Sequence, residues 1–300
     1  MISETTSDIQ IRRADDHWIV RFSAMASPCE ILLRCESIAE TERLAEIAIA
    51  ETLRIERKFS RYRKDNIVAQ INSGSGLPTP IDDETARLLK YAAQCHALSE
   101  GQFDITSGVL RKAWNFSGEE FTPDESLIDS LLLLVGWDKT TLTDTEFQVR
   151  PGMEIDLGGI GKEYAVDRVA RLLFEKRQCP LMVNFGGDIR AISPANKSIP
   201  WRVGIEDPER DNQSIGMIEL VNGAVATSGV AYRFCLVDGR RLGHILDPRT
   251  GWPVEDAPRS VTVVADYCME AGLLSTLGML HGHETESFLN DQNVRYYCCR

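Results

Sequence analysis

Glu154-Ile155-Asp156-Leu157-Gly158-Gly159-Ile160-Gly161-Lys162-Glu163-Tyr164 decides how this chain is read. The pattern is that of a strand ending, three glycines permitting close approach of backbone to a ligand, and a helix beginning at about Lys162. Exposed N–H groups and the helix dipole favour a phosphate at such a junction. The same letters also spell a tight strand-to-helix turn, and alone they leave both readings open. There is no GxGxxG after a strand and no GxxxxGK[ST], which argues against Rossmann and P-loop sites.

Outward from that junction, residues 162–177 read as a helix, and short strands follow at 181–185, 189–193, 201–205, 216–221, 232–237 and 259–264. A last helix at about 269–281 precedes a strand near 293–298. Toward the N-terminus, 17–35 reads as two strands around a turn, and helices are expected at 37–59, 82–99 (capped by Asp82 or Asp83) and 124–136. SGSGLPTP at 73–80 is a loop. Local and crossover connections together predict an α+β fold with a mixed sheet, organised as a single domain over 1–300 with its core at about 20–282.

Composition narrows the function. The 300 residues carry 33 basic against 45 acidic side chains, a net charge of −12, which is the wrong sign for a general nucleic-acid or anionic-membrane binder. No run approaches the roughly 18 apolar residues of a membrane helix. Residues 1–18, MISETTSDIQIRRADDHW, hold no signal-like apolar stretch, and the eight cysteines have no ligand spacing. Reduced thiols and a cytoplasmic location are expected. The terminal YYCCR reads as a strand end or tail.

Three further clusters punctuate the second half: Asn184-Phe185-Gly186-Gly187-Asp188, Ala226-Thr227-Ser228-Gly229 followed by Tyr232, and His244-Ile245-Leu246-Asp247-Pro248-Arg249-Thr250-Gly251-Trp252-Pro253. Each taken singly suits a turn. His17, His96, His281 and His283 sit in amphipathic or polar contexts and are assigned to the surface.

Taken in order, the clusters resemble the signature series of the ApbE family of flavin transferases. Met25-Ala26-Ser27-Pro28 is similar to its Met-Gly-Thr strand, and Phe59-Ser60-Arg61-Tyr62-Arg63, followed by Asn72, to its Phe-Ser-x-Tyr-Arg segment. Gly101-Gln102-Phe103-Asp104-Ile105-Thr106 resembles Gly-x-Phe-Asp-Pro-Thr. The four clusters above resemble Asp-Leu-Gly-Gly-Ile-x-Lys-Gly-Tyr, Asn-x-Gly-Gly-Asp, Ala-Thr-Ser-Gly and His-Ile-x-Asp-Pro-x-Thr-Gly-x-Pro.

The resemblance implies transfer of FMN from FAD to a Ser or Thr hydroxyl of an acceptor protein, with AMP leaving and Mg²⁺ polarising the pyrophosphate. It implies FAD contacts from Met25, Tyr62, Phe103, Asp104, Asp156, Lys162 and Ile245, and a metal held by the Gly159 carbonyl and the Thr276 hydroxyl. His244 is the candidate for activating the acceptor hydroxyl, since imidazole transfers protons near neutral pH.

One stretch departs from the pattern. Glu270-Ala271-Gly272-Leu273-Leu274-Ser275-Thr276 has Gly272 where the family carries the aspartate of Ala-Asp-Ala-Leu-Ser-Thr, and Glu163 stands where it has glycine. Positions 272 and 276 share a helix face, so that pair could grip one ion. Mg²⁺ wants a carboxylate. Asp266 is the expected replacement, and Glu163 is expected only to repel a phosphate. Gly272→Asp is expected to cost little stability, because glycine in a helix is already about 1 kcal/mol worse than alanine. A silent FAD-binding protein and a hydrolase of FAD are the alternatives.

Overall fold

The computed structural model describes residues 9–197, 199–210, 213–230 and 233–300. An eight-stranded sheet organises them: β1 (Gln10–Arg13), β2 (Trp18–Ala24), β3 (Ser27–Leu33), β4 (Leu181–Phe185), β5 (Asp188–Ile192), β6 (Gly223–Gly229), β7 (Ser260–Ala265) and β8 (Arg295–Cys299). Strand order in space equals strand order in the chain. Every neighbouring pair of this sheet is antiparallel, so the α+β class stands while the expected mixture of directions is absent from the large sheet. Long connections suggested parallel crossovers. Here the helices inserted between β3 and β4, and between β7 and β8, return the chain to antiparallel neighbours instead.

Helices α1 (Ile38–Phe59), α2 (Ile67–Ser73), α3 (Asp83–Leu98), α4 (Glu125–Leu132), α5 (Gly161–Lys176), α6 (Cys268–Leu280) and α7 (Thr285–Asp291) complete the frame. Ser37 caps α1 and Asp82 caps α3, each side chain accepting from an amide three residues on, a contribution of about 1 kcal/mol apiece. Residues 124–136 form a shorter helix than expected, ending at Leu132 ahead of Gly136. The strand expected over 232–237 is observed over Phe234–Val237; Tyr232 lies outside the described residues.

The sheet has two covered faces, and β4 illustrates why. Leu181, Val183 and Phe185 enter the core with α1 and α5, whereas Met182 points the other way, as period-two alternation requires. That second face is covered by a hairpin, Trp201–Glu206 and Ser214–Leu220, whose Trp201, Val203, Ile205, Ile218 and Leu220 pack on Met182, Ile189, Ala191 and Val225. A separate apolar cluster joins Val109, Leu110, Trp114, Ile128 and Cys235, tying the segment 105–112 and α4 to the hairpin Phe234–Val237/Arg240–Gly243. All eight cysteines are unbonded thiols, Cys35 and Cys179 coming to 3.4 Å between sulfurs. No helix among the described residues is long and apolar enough to cross a membrane.

Candidate active site

An antiparallel sheet in chain order sends alternate connections to opposite ends. The β2–β3, β4–β5 and β6–β7 connections therefore emerge at one end, as the registers Ala24↔Ser27, Phe185↔Asp188 and Gly229↔Ser260 show. Those connections carry Met25, the Gly186-Gly187 pair and the His244 segment. The first two are two-residue hairpin loops with positive φ throughout: 54° and 55° at Met25 and Ala26, 61° and 95° at Gly186 and Gly187. Positive φ at both central residues is what a type I′ turn requires. Gly186 meets it without strain and leaves room beside Ser27 and the Lys162 ammonium.

The segment before α5 is not the strand expected. Met153, Ile155 and Leu157 are buried alternately, which produced the strand-like pattern, but residues 153–157 join no ladder. Asn72 replaces a neighbouring strand: its amide donates to Ile155 O (3.1 Å) and its carbonyl accepts from Ile155 N (2.8 Å). Asp156 N then donates to Ile105 O at 2.8 Å. The Asp156 side chain accepts from Gly158 N (2.9 Å) and pairs with Arg61, whose guanidinium also donates to the Tyr62 hydroxyl at 2.7 Å. Tyr62 itself is 72% exposed, with the Arg61 guanidinium over its ring at 4.8 Å from the centroid.

Phe103 and Asp104 are positioned differently from each other. Phe103 is buried under the glycine turn; a β-carbon at 159 would sit 3.1 Å from its ring. Asp104 is buried and its oxygens are committed, Oδ1 to Thr106 N and Oγ1 and Oδ2 to Trp137 N at 2.9 Å. It anchors the loop that presents Phe103.

Lys162 lies in the first turn of α5, a helix whose N-terminus has no side-chain cap. Its Nζ pairs with the buried Asp188 Oδ2 at 2.9 Å. Burial opposes the Lys162 charge, but Asp188 outweighs it and holds the ammonium above its ordinary pKa. Glu163, next in sequence, turns inward and is buried to 8% exposure; burial, then the Asp188 charge, pushes its carboxyl up to about 8. It reaches Gly272 on α6. Asp167, one turn further along α5, accepts from Cys268 N and Met269 N, both at 3.0 Å, and so fixes the start of α6. Thr276 meets the third sequence cluster: Ser228 Oγ lies 3.1 Å from Thr276 Oγ1 and 2.8 Å from Ser275 Oγ.

His244 is half-buried, its Nδ1 3.3 Å from Arg233 O and its ring edge-on to Phe116 at 6.3 Å. Burial, then the charges of Arg233 and Arg61, lower its pKa against the hydrogen bond to Arg233 O, which raises it. Asp247 stiffens the turn by accepting from Arg249, while Trp114 Nε1 donates to Gly251 O at 2.9 Å. Ile245 packs beside it against the core.

Several expectations are corrected. Asp266, the expected replacement, is exposed in the bend before α6, outside the helix that carries Gly272 and Thr276. Gly272→Asp does not find free space, because a β-carbon there would lie 2.6 Å from Glu163 Cγ. Of the histidines assigned to the surface only His283 is exposed; His17 packs on Trp201, His281 stacks on Phe288, and His96 lies 3.6 Å from Asp104. Sequence reasoning passed over Arg61, Asp188 and Ser228, although each lay inside a quoted motif. A cavity of about 980 Å³ is lined by residues such as Tyr164, Arg168, Arg190 and Tyr267 and by none of the candidate site residues. Among the described residues no group of three or more His, Cys, Asp or Glu converges as a metal cage.

The fold and the site define a protein of the flavin-transferase class. The ApbE protein of Thermotoga maritima superposes with a TM-score of 0.85 at 32% identity, covering 94% of each chain. The apo flavinyl transferase ApbE of Pseudomonas stutzeri gives 0.81 at 25%, over 96% of this chain and 92% of its own. The FAD:protein FMN transferase of Vibrio cholerae is 34% identical over 233 residues, 76% of this chain and 70% of that one, and that of Escherichia coli K12 is 30% identical over 236 residues, 75% and 67%. The ApbE family model matches residues 25–298. The chain belongs to the ApbE family.

Proposed function

We propose that this chain transfers FMN from FAD to a Ser or Thr hydroxyl of an acceptor protein, releasing AMP. The observation that carries the proposal is Lys162, held charged by Asp188 at the uncapped N-terminus of α5, beside the Gly158-Gly159 and Gly186-Gly187 turns. A helix dipole and an ammonium converge there, the complement of a pyrophosphate, while the Gly158, Gly186 and Gly187 amides are engaged by Asp156, Pro28 and Asn184. Met25, Tyr62 and Ile245 offer apolar surface to the flavin half, Phe103 supports the Gly159 turn from beneath, and the Arg61–Asp156 pair adds a polar edge.

In the reaction the acceptor oxygen attacks the FMN phosphorus, the phosphoanhydride bond breaks, and AMP departs with its phosphate oxygen. Positioning and charge neutralisation carry most of the catalysis in such a transfer. His244 is suited to take the hydroxyl proton. Nδ1–H donating to Arg233 O leaves Nε2 with its lone pair, and the lowered pKa keeps the ring neutral. The donors near Thr276 are hard oxygens (Thr276 and Ser228 hydroxyls), which fit Mg²⁺. The Gly159 carbonyl and Thr276 hydroxyl would hold that ion, which when bound polarises the pyrophosphate.

The test is to incubate the chain with FAD, Mg²⁺ and a Thr-bearing acceptor domain. Covalent flavin fluorescence on a denaturing gel, lost with EDTA, supports the reading. AMP release without labelled acceptor indicates hydrolysis instead, and FAD binding with neither product indicates a flavin carrier.

A further inference from the structure

The departures at positions 163 and 272 are in contact. A β-carbon built on Gly272 would lie 2.6 Å from Glu163 Cγ and 3.2 Å from both Cδ and Oε1. The Glu163 side chain therefore fills the volume that any side chain at 272 would need. This accounts for a buried glycine inside α6, where glycine is otherwise unfavourable. It also makes the two positions mutually exclusive: a long acid at 163 demands glycine at 272, and an acid at 272 demands a small residue at 163.

Glu163 is more than nine-tenths buried, and its Oε2 has no hydrogen-bond partner among the described residues. The nearest cation, Lys162, is committed to Asp188. A buried carboxyl oxygen without a hydrogen-bond partner is costly unless something outside the polypeptide meets it. Its surroundings are held firmly. Asp167 clamps the α6 amides to α5, and on α6 Ser275 donates back to Gly272 O while Ser275 and Thr276 bond to Ser228. The carboxylate thus lies beside the helix position one turn before Thr276.

We infer that Glu163 of α5 supplies the carboxylate ligand of a divalent-cation site completed by Thr276, in place of residue 272 of α6. The inference rests on the flavin-transferase reading for the presence of the cation. The ligand class is a hard divalent ion, Mg²⁺ or Mn²⁺, which needs one or two carboxylates besides substrate phosphates rather than a full protein cage.

Mn²⁺ binding to the full chain, followed by loss of the free-ion EPR signal with FAD present, tests this without reference to turnover. Glu163→Gln keeps the shape and removes the charge, and is expected to weaken Mn²⁺ at least about tenfold while FAD quenching persists. Gly272→Asp alone is expected to lower the melting temperature and leave Mn²⁺ affinity no better than wild type. The double variant Glu163→Gly/Gly272→Asp should recover Mn²⁺ affinity to within a few-fold of wild type. Should the double variant not fold, Glu163→Gln decides alone. Unchanged Mn²⁺ affinity in Glu163→Gln overturns the inference, as does a Gly272→Asp chain that is both stable and tighter for Mn²⁺. Wild type that binds FAD but no Mn²⁺ also overturns it, leaving the flavin reading intact; wild type that binds neither overturns both.

Discussion

Ala26 has the strained backbone of the β2–β3 turn, with φ 55° and an exposed side chain. A left-handed conformation costs a non-glycine residue roughly 1–2 kcal/mol, and glycine's extra freedom in the unfolded chain returns about 0.5–1 kcal/mol of that. Ala26→Gly should therefore stabilise by up to about 1 kcal/mol, raising the urea midpoint without changing the slope. A lower midpoint would mean that the methyl group packs against something the turn needs. Local geometry was legible at this scale wherever a residue type carries it: Gly186-Gly187 announced a turn, and the glycines before Lys162 announced the start of a helix. Asn72 was not legible in the same way. Its role depends on Ile155, 83 positions away, and nothing local to either residue points to the other. The same is true of Glu163 and Gly272, visible separately as departures and meaningful only as neighbours.

Helices α1, α3 and α5 are locked together by one ion network. Glu84 of α3 accepts from Arg54 and Lys58 of α1 and from the Tyr164 hydroxyl of α5 at 2.7 Å, while Glu51 bridges Arg54 to Arg168. Burial works against the Glu84 charge, but Arg54 and Lys58 prevail and hold its carboxyl far below the ordinary range; Asp82, similarly opposed by burial and held by Lys58, is lowered to about 2. Folded values below the unfolded ones mean that this stabilisation is complete above about pH 4.5 and is lost as pH falls through the folded values. Urea midpoints should fall steeply between roughly pH 4.5 and 2. Glu84→Gln should begin lower, by on the order of 1–2 kcal/mol near pH 6, and then fall less steeply; parallel curves would remove Glu84 from the acid transition. Element positions were readable from caps and periodicity, α1 and α3 to within a residue. Ala226-Thr227-Ser228-Gly229 read as a turn and instead ends strand β6, because Gly223-Ala224-Val225-Ala226-Thr227-Ser228-Gly229 is made of small residues whose burial comes from being central in the sheet. α7 escaped notice because its short polar stretch has meaning only against α6.

A sheet whose spatial order equals its chain order collects its alternate loops at one end, so Met25, the Gly186-Gly187 pair and the His244 segment share that end although no single element holds them. Such a site binds its ligand only in the folded chain, and saturation must therefore stabilise the whole molecule, by about 2.7 kcal/mol at a hundredfold excess over Kd. FAD with Mg²⁺ should raise the melting temperature of wild type and of His244→Ala alike, because His244 is assigned to the proton and not to the pyrophosphate. Transfer should separate the two proteins: a general base contributes roughly 10²–10⁴-fold, and that loss should fall on kcat with FAD affinity nearly unchanged. The pH profile adds a check of sign. Burial and the charges of Arg233 and Arg61 lower the His244 pKa, so the neutral ring persists below the ordinary value of about 6.5. Wild-type transfer should hold its plateau through pH 6.5 and fall only in more acidic solution, whereas His244→Ala should lose that acidic limb together with most of the rate. Equal losses of FAD stabilisation and transfer in His244→Ala would reduce His244 to a binding residue. A wild-type limb centred above pH 6.5 would assign the proton to another group.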